Sequence, residues 1–149
     1  MTPDGERALA KRIAKEEGEN RLPNGNHGLY KDTKNIWTIG HGYNIQEHGL
    51  PDDIVADLDR RALKAADDDA KKVPGYLAAN DARQSVVAAM VYQMGLHSVL
   101  GFKDFCAHMA ASAYNAAADA MLDSEWYRRD SPARAKRESD IMRSGVMPS

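Results

Sequence analysis

The sequence predicts an α+β protein with few strands. Three observations carry this reading. Helical periodicity runs from Asp4 to about Glu17 and again from Pro51 onward. Between them, Leu29 to Ile45 is rich in Tyr, Ile, Trp and Thr, which suit strands. Further on, SVVAAMVYQMG is apolar nearly all round, as a central buried helix should be. With 149 residues, the chain suffices for one domain with a proper core, divisible into two lobes. Its 43% hydrophobic and 28% charged residues fit a globular protein rather than a disordered one. A formal net charge of −2 gives no global basic field for nucleic acid.

In the first helix, Leu9, Ile13 and Glu17 are spaced by four, so Glu17 joins the apolar stripe. Glu16 is turned about 100° away, and Gly18 is a natural stop. Asn20 to Gly28 reads as a loop, broken by Pro23, Asn24-Gly25 and Gly28. In the β stretch, Thr33-Lys34-Asn35 is a plausible turn, and Gly40, Gly42 and Gly49 mark its exit. Pro51-Asp52-Asp53 then starts a long helix running to about Val73. Its expected apolar side is Ile54, Val55, Leu58, Ala62, Ala65 and Ala66; the opposite face alternates Asp with Arg and Lys, as a solvated face with local ion pairs does. Pro74-Gly75 ends it, and Asn80 or Asp81 caps the central helix. Short helices are expected at about 102–110, 114–123 and 133–143, the last two separated at Asp130-Ser131-Pro132. The expected layout is a β lobe at about 18–50, a connecting helix at 51–73, and a helical lobe of 1–17 and 74–149. A ligand cleft is expected between the lobes.

The chemistry rests on Glu17, Asp32 and Thr38. If the turn is the odd, three-residue Thr33-Lys34-Asn35, Asp32 lies opposite Ile36 and Tyr30 opposite Thr38. Asp32 and Thr38 then share a face as diagonal neighbours, ~7–8 Å apart at Cα, and could hold a water between them. An even loop would put them on opposite faces. Glycoside hydrolysis needs one protonated acid for the leaving oxygen and one ionised carboxylate to activate water or stabilise charge. A Glu17 rooted on an apolar helix face would be partly desolvated, which favours the protonated form, and Asp32 on an exposed hairpin would stay ionised. By spacing alone, a helix-ending Glu beside a hairpin also serves as a cap or a surface acid.

Several blocks in order resemble the phage-type lysozymes, glycoside hydrolase family 24. They are EEG, LYKDTKNIWTIGHG, AMVYQMG, GFKDF and SEWYRRDSPARAKRESDIMRSG, spanning about residues 9 to 145. The resemblance implies a lysozyme-like fold and endo-hydrolysis of the β-1,4 bond between N-acetylmuramic acid and N-acetylglucosamine in peptidoglycan. Position by position, Glu17 matches the general acid, Asp32 the carboxylate that activates or orients water, and Thr38 the residue that helps hold that water. Arg134 matches an arginine that approaches the acid, Tyr92 and Gln93 match substrate-binding positions, and Trp126 matches a core aromatic. No cofactor and no metal is implied. Two departures stand out. The polar segment between Glu17 and Asp32 is longer than is usual in the family, leaving Glu16 and Glu19 as competitors for the acid. TIGHGYN places His41 where an apolar or aromatic residue is common and Tyr43 where His is common, so a buried His–Asp pair found in some members is not expected.

The remaining signals are blander. His27, His41 and His48 flank the hairpin with Asp32 nearby; a zinc site is conceivable there, but the spacings match no tight metal-ligand pattern, and the histidines read as surface or cleft polar groups. Cys106 reads as a core filler. The cluster Arg128, Arg129, Arg134, Lys136, Arg137 and Arg143 either attracts the anionic wall or pairs with neighbouring acids. The N-terminal segment has no apolar run of signal-peptide length, and no stretch approaches a membrane span. The expectation is a monomeric endolysin without membrane insertion, held in a host cytoplasm and reaching periplasm and wall through a holin-type pore; carriage in a virion is the other route. A lytic transglycosylase and a wall-binding virion module are the alternative activities.

Overall fold

The computed structural model describes residues 1–149 and shows an α+β chain, mostly helical, with one three-stranded antiparallel sheet in the order β1-β2-β3. By its internal contacts the chain divides into two units, Met1–Val55 and Ala56–Ser149, with the division inside a helix. No helix is long and apolar enough to cross a membrane.

The first unit starts with α1 (Pro3–Glu16), whose Thr2 cap accepts from Gly5 N and whose Pro3 occupies the first turn. The helix stops one residue earlier than the periodicity predicts. Glu17 is its C-cap and has left the helix, at φ −84° and ψ 151°, while its N–H still reaches Ile13 O at 2.8 Å. Strands β1 (Tyr30–Lys31), β2 (Trp37–Ile39) and β3 (Tyr43–Asn44) follow, and α2 (Ile45–His48) closes the meander, capped by Asn44. The Gln46 side chain of α2 accepts from Trp37 N at 3.2 Å, tying α2 back to β2.

Between β1 and β2 the pairing is Tyr30↔Thr38 and Lys31↔Trp37, the register that an odd loop requires. Asp32 N donates to Ile36 O and Asn35 N to Asp32 O, both at 3.0 Å, closing a three-residue loop over residues 33–35. Asn35 takes the left-handed position of this loop (φ 63°), a conformation Asn tolerates better than most side chains. The predicted loop at 20–28 holds more structure than expected. Arg21 and His27 form an antiparallel bridge, with Leu22 N on Asn26 O and Gly25 N on Leu22 O. This repeats the bonding of the first hairpin, with Gly25 (φ 85°) in the left-handed position. Pro23-Asn24-Gly25 is the signal that could have found it, since Pro presets the first turn residue and Gly supplies positive φ.

Helix α3 (Asp52–Ala70) keeps the expected apolar side only toward its C-terminal end. Only Ala66 and Ala70 are buried, whereas Ile54, Val55 and Leu58 are exposed. The helix earns its local order on the other face: Asp57 pairs with Arg60 and Arg61, Lys64 with Asp68, Lys71 with Asp67 and Asp68, and Lys72 with Asp69. Such exposed i,i+3 and i,i+4 pairs are screened by solvent and salt and stabilise the helix only weakly.

The second unit has a proper core around α4 (Asp81–Met94), capped by Asn80 and burying Ala82, Val86, Val87, Met90 and Val91. Around it lie α5 (Leu96–Gly101), α6 (Lys103–Ala110), α7 (Tyr114–Leu122) and α8 (Pro132–Ser144). Phe105, Met109, Met121, Trp126 and Met142 fill the same cluster. Cys106 is buried there, its thiol donating to Val99 O, and burial pushes it up from its ordinary pKa. Just before the break expected at Asp130-Ser131-Pro132, residues Trp126–Asp130 form a π-turn in which Ser131 N donates to Trp126 O at 2.9 Å. A short 3₁₀ turn at Tyr76–Ala78 leads into α4; before it, Gly75 (φ 77°) lies so close to the Met109 carbonyl that a Cβ would collide.

Candidate functional site

In the first unit the Tyr30 side chain ties the end of α1 to the sheet. Tyr30, paired with Thr38 across the hairpin, donates its hydroxyl to Gly18 O at 2.9 Å and accepts from Gly42 N at 3.1 Å. Gly18 follows Glu17, and Gly42 lies in the β2–β3 turn, so Tyr30 spans helix end, first strand and second turn. The Glu17 carboxylate rests on Gly42: a Cβ built there would meet Glu17 Oε2 at 3.2 Å. Gly42 also has φ 88°, so both backbone and space select glycine. Glu17 is exposed, contrary to the helix-face expectation. The reason is local: α1 buries no residue, and the chain turns out of the helix at Glu17, carrying the side chain off the Leu9–Ile13 stripe.

Asp32 is half-buried at the hairpin's end. Its Oδ1 accepts from Lys34 N at 2.8 Å and Ile36 N at 3.0 Å, which fixes the carboxylate and builds the turn with it. Its Oδ2 makes no hydrogen bond within the protein. Thr38 is 2% exposed, and its hydroxyl donates to Ile36 O at 3.0 Å, leaving the oxygen's lone pairs as acceptors. The register puts Asp32 and Thr38 on one face of the hairpin, diagonal to each other.

The residues placed by resemblance in the helical part lie in the second unit. Tyr92 is exposed on α4. Next to it, Gln93 donates Nε2–H to Ser131 Oγ at 2.7 Å and accepts from Arg134 Nη1 at 3.0 Å. Gln93 and Arg134 thus form one polar link between α4 and the start of α8. Glu138, one turn beyond Arg134, is half-buried, and desolvation raises its pKa despite the opposing charges of Arg134 and Arg137. Trp126 is buried in the core, and its indole N–H has no partner within the protein.

One group of residues was not put together from the sequence. Glu19, His27 and His41 converge, with one potential ligand atom from each within 4.8 Å of the others. Glu19 Oε2 lies 3.1 Å from His41 Nε2, 3.8 Å from His27 Nδ1 and 3.0 Å from an Arg21 nitrogen. Arg21, and then His41, hold the Glu19 carboxyl below its ordinary pKa. His48 is elsewhere, tilted against Tyr43 with ring centroids 6.0 Å apart. In comparisons with known proteins, the sequence matches no family model and no curated protein.

Proposed function

We propose that the protein is a muramidase with a lysozyme-like fold. It would hydrolyse the β-1,4 bond between N-acetylmuramic acid and N-acetylglucosamine in peptidoglycan, as the ordered resemblance to phage-type lysozymes implies. The observation that supports this best is the odd hairpin loop. It sets Asp32 and Thr38 on one face, with Asp32 Oδ2 and the Thr38 lone pairs unspent, while Tyr30 and Gly42 fix the chain at Glu17.

In this reading Glu17 donates its proton to the glycosidic oxygen as the C1–O bond breaks. Asp32, fixed through Oδ1, uses Oδ2 to take a proton from a water that Thr38 helps hold, and that water's oxygen bonds to C1. Glu17 stands in solvent without substrate, so the exclusion of water around its carboxyl has to come from the sugar lying over it. Gln93, Arg134 and Tyr92 are proposed to bind the glycan. The proposed setting is release from a host cytoplasm to the wall through a holin-type pore, with no cofactor.

The test is clearing of a purified peptidoglycan suspension, followed by product analysis. Reducing sugar ends mark hydrolysis, 1,6-anhydro ends mark a lytic transglycosylase, and no clearing with retained binding marks a wall-binding module.

A further inference from the structure

We propose that Glu19, His27 and His41 form a binding site for a zinc-like divalent cation that staples the 19–28 segment to the β2–β3 turn. This is independent of the proposed hydrolase activity. The donor set, two imidazoles and one carboxylate, is one that zinc takes, with a fourth position left for water. Zinc–ligand distances of ~2.0–2.1 Å in a tetrahedron place neighbouring ligand atoms a little over ~3 Å apart. The separations of 3.1 Å and 3.8 Å from Glu19 Oε2 to the two imidazole nitrogens are close to that spacing.

A second observation points the same way. His27 Nδ1 is buried and has no hydrogen-bond partner, yet it faces the Glu19 carboxylate. The rings of His27 and His41 meet edge to face, 5.2 Å between centroids and 87° between planes, an arrangement that lets two nitrogens aim at a common point without the rings clashing. Backbone structure holds the ligands in place. His27 is fixed by the Arg21↔His27 bridge, Asn20 binds Leu29 O and Gly28 N, and His41 directly precedes Gly42. Arg21 is the competitor, since its guanidinium occupies the same Glu19 oxygen that a cation would use.

The experiment is zinc titration of the untagged protein by calorimetry at neutral pH, with cobalt(II) absorption as a second probe and thermal unfolding as a third. The expected result is one ion per chain, a tetrahedral cobalt spectrum, and an unfolding temperature that rises with zinc, because an ion that binds only the folded chain stabilises it. His27→Ala, His41→Ala and Glu19→Gln should each weaken binding on the order of tenfold or more, with His48→Ala unchanged. Arg21→Ala should bind zinc more tightly, because the competing cation is gone; as a surface change it also guards against a histidine variant that fails to fold. Absence of zinc binding in the wild type, or binding that survives all three ligand substitutions, would overturn the proposal. So would binding lost equally in His48→Ala.

Discussion

Replacing Tyr30 with Phe removes one oxygen and nothing else. That oxygen donates to Gly18 O at 2.9 Å, with Gly40 O at 3.4 Å as a longer acceptor, and accepts from Gly42 N at 3.1 Å; the two shorter bonds link the end of α1 to the sheet and its second turn. A neutral hydrogen bond contributes ~0.5–1.5 kcal/mol net, and both released backbone groups lie in exposed residues where water can replace the hydroxyl. The expected loss is therefore near the lower limit for two bonds, about 1 kcal/mol, or ~2–4 °C in unfolding temperature for a chain of this size. The effect on hydrolysis should be larger than that cost suggests. Glu17 is placed by the chain on either side of it and by Gly42, and a misplacement of ~1 Å can lower a rate by roughly a hundredfold. Thermal unfolding followed by circular dichroism, together with turbidity clearing, reads both effects. A Tyr30→Phe protein with unchanged stability and unchanged clearing would refute the claim that this hydroxyl holds the acid in place.

Other expectations follow from single contacts. Gly75→Ala forces a Cβ into the Met109 carbonyl at a φ of 77° and should destabilise by on the order of 3 kcal/mol, measured by denaturant unfolding. Ser139→Ala removes a buried hydroxyl that donates to Ala118 O at 3.1 Å and should cost about 1 kcal/mol in the same assay. Arg61 and Arg60 hold Asp57 below the usual carboxylate range, Tyr76 and Lys71 hold Asp67 below it, and Lys64 and Lys71 hold Asp68 down to about 2. A folded-state pKa below the unfolded value stabilises above the unfolded pKa, so unfolding temperatures should fall as pH drops from about 4 toward 2, less steeply in high salt. Glu138 has the opposite sign: burial raises its pKa, so its ionised form weighs against folding at neutral pH, and Glu138→Gln should raise the unfolding temperature more at pH 7 than at pH 4.

The sequence was most legible where one local rule decided the outcome. An apolar run without a polar face made α4 the core helix. The odd loop at 33–35 set the Tyr30↔Thr38 register, because a period of two allows only that pairing once the loop length is known. Helix phase misled at Glu17, since periodicity does not say where the chain leaves the helix; one residue of extended backbone sent the side chain into solvent. Ile54, Val55 and Leu58 misled in another way. Their spacing is that of a buried stripe, yet burial needs a surface to pack against, which spacing along a helix cannot supply. Glu19, His27 and His41 escaped because their proximity comes from a hairpin at 21–27 and a turn at 40–42 rather than from any short interval.

The most direct measurement is clearing of purified peptidoglycan by wild type, Glu17→Gln and Glu16→Gln, each checked for native circular dichroism. The account predicts clearing with reducing ends by wild type and Glu16→Gln, and none by a folded Glu17→Gln. Clearing by Glu17→Gln at the wild-type rate, or its loss in Glu16→Gln instead, would contradict it.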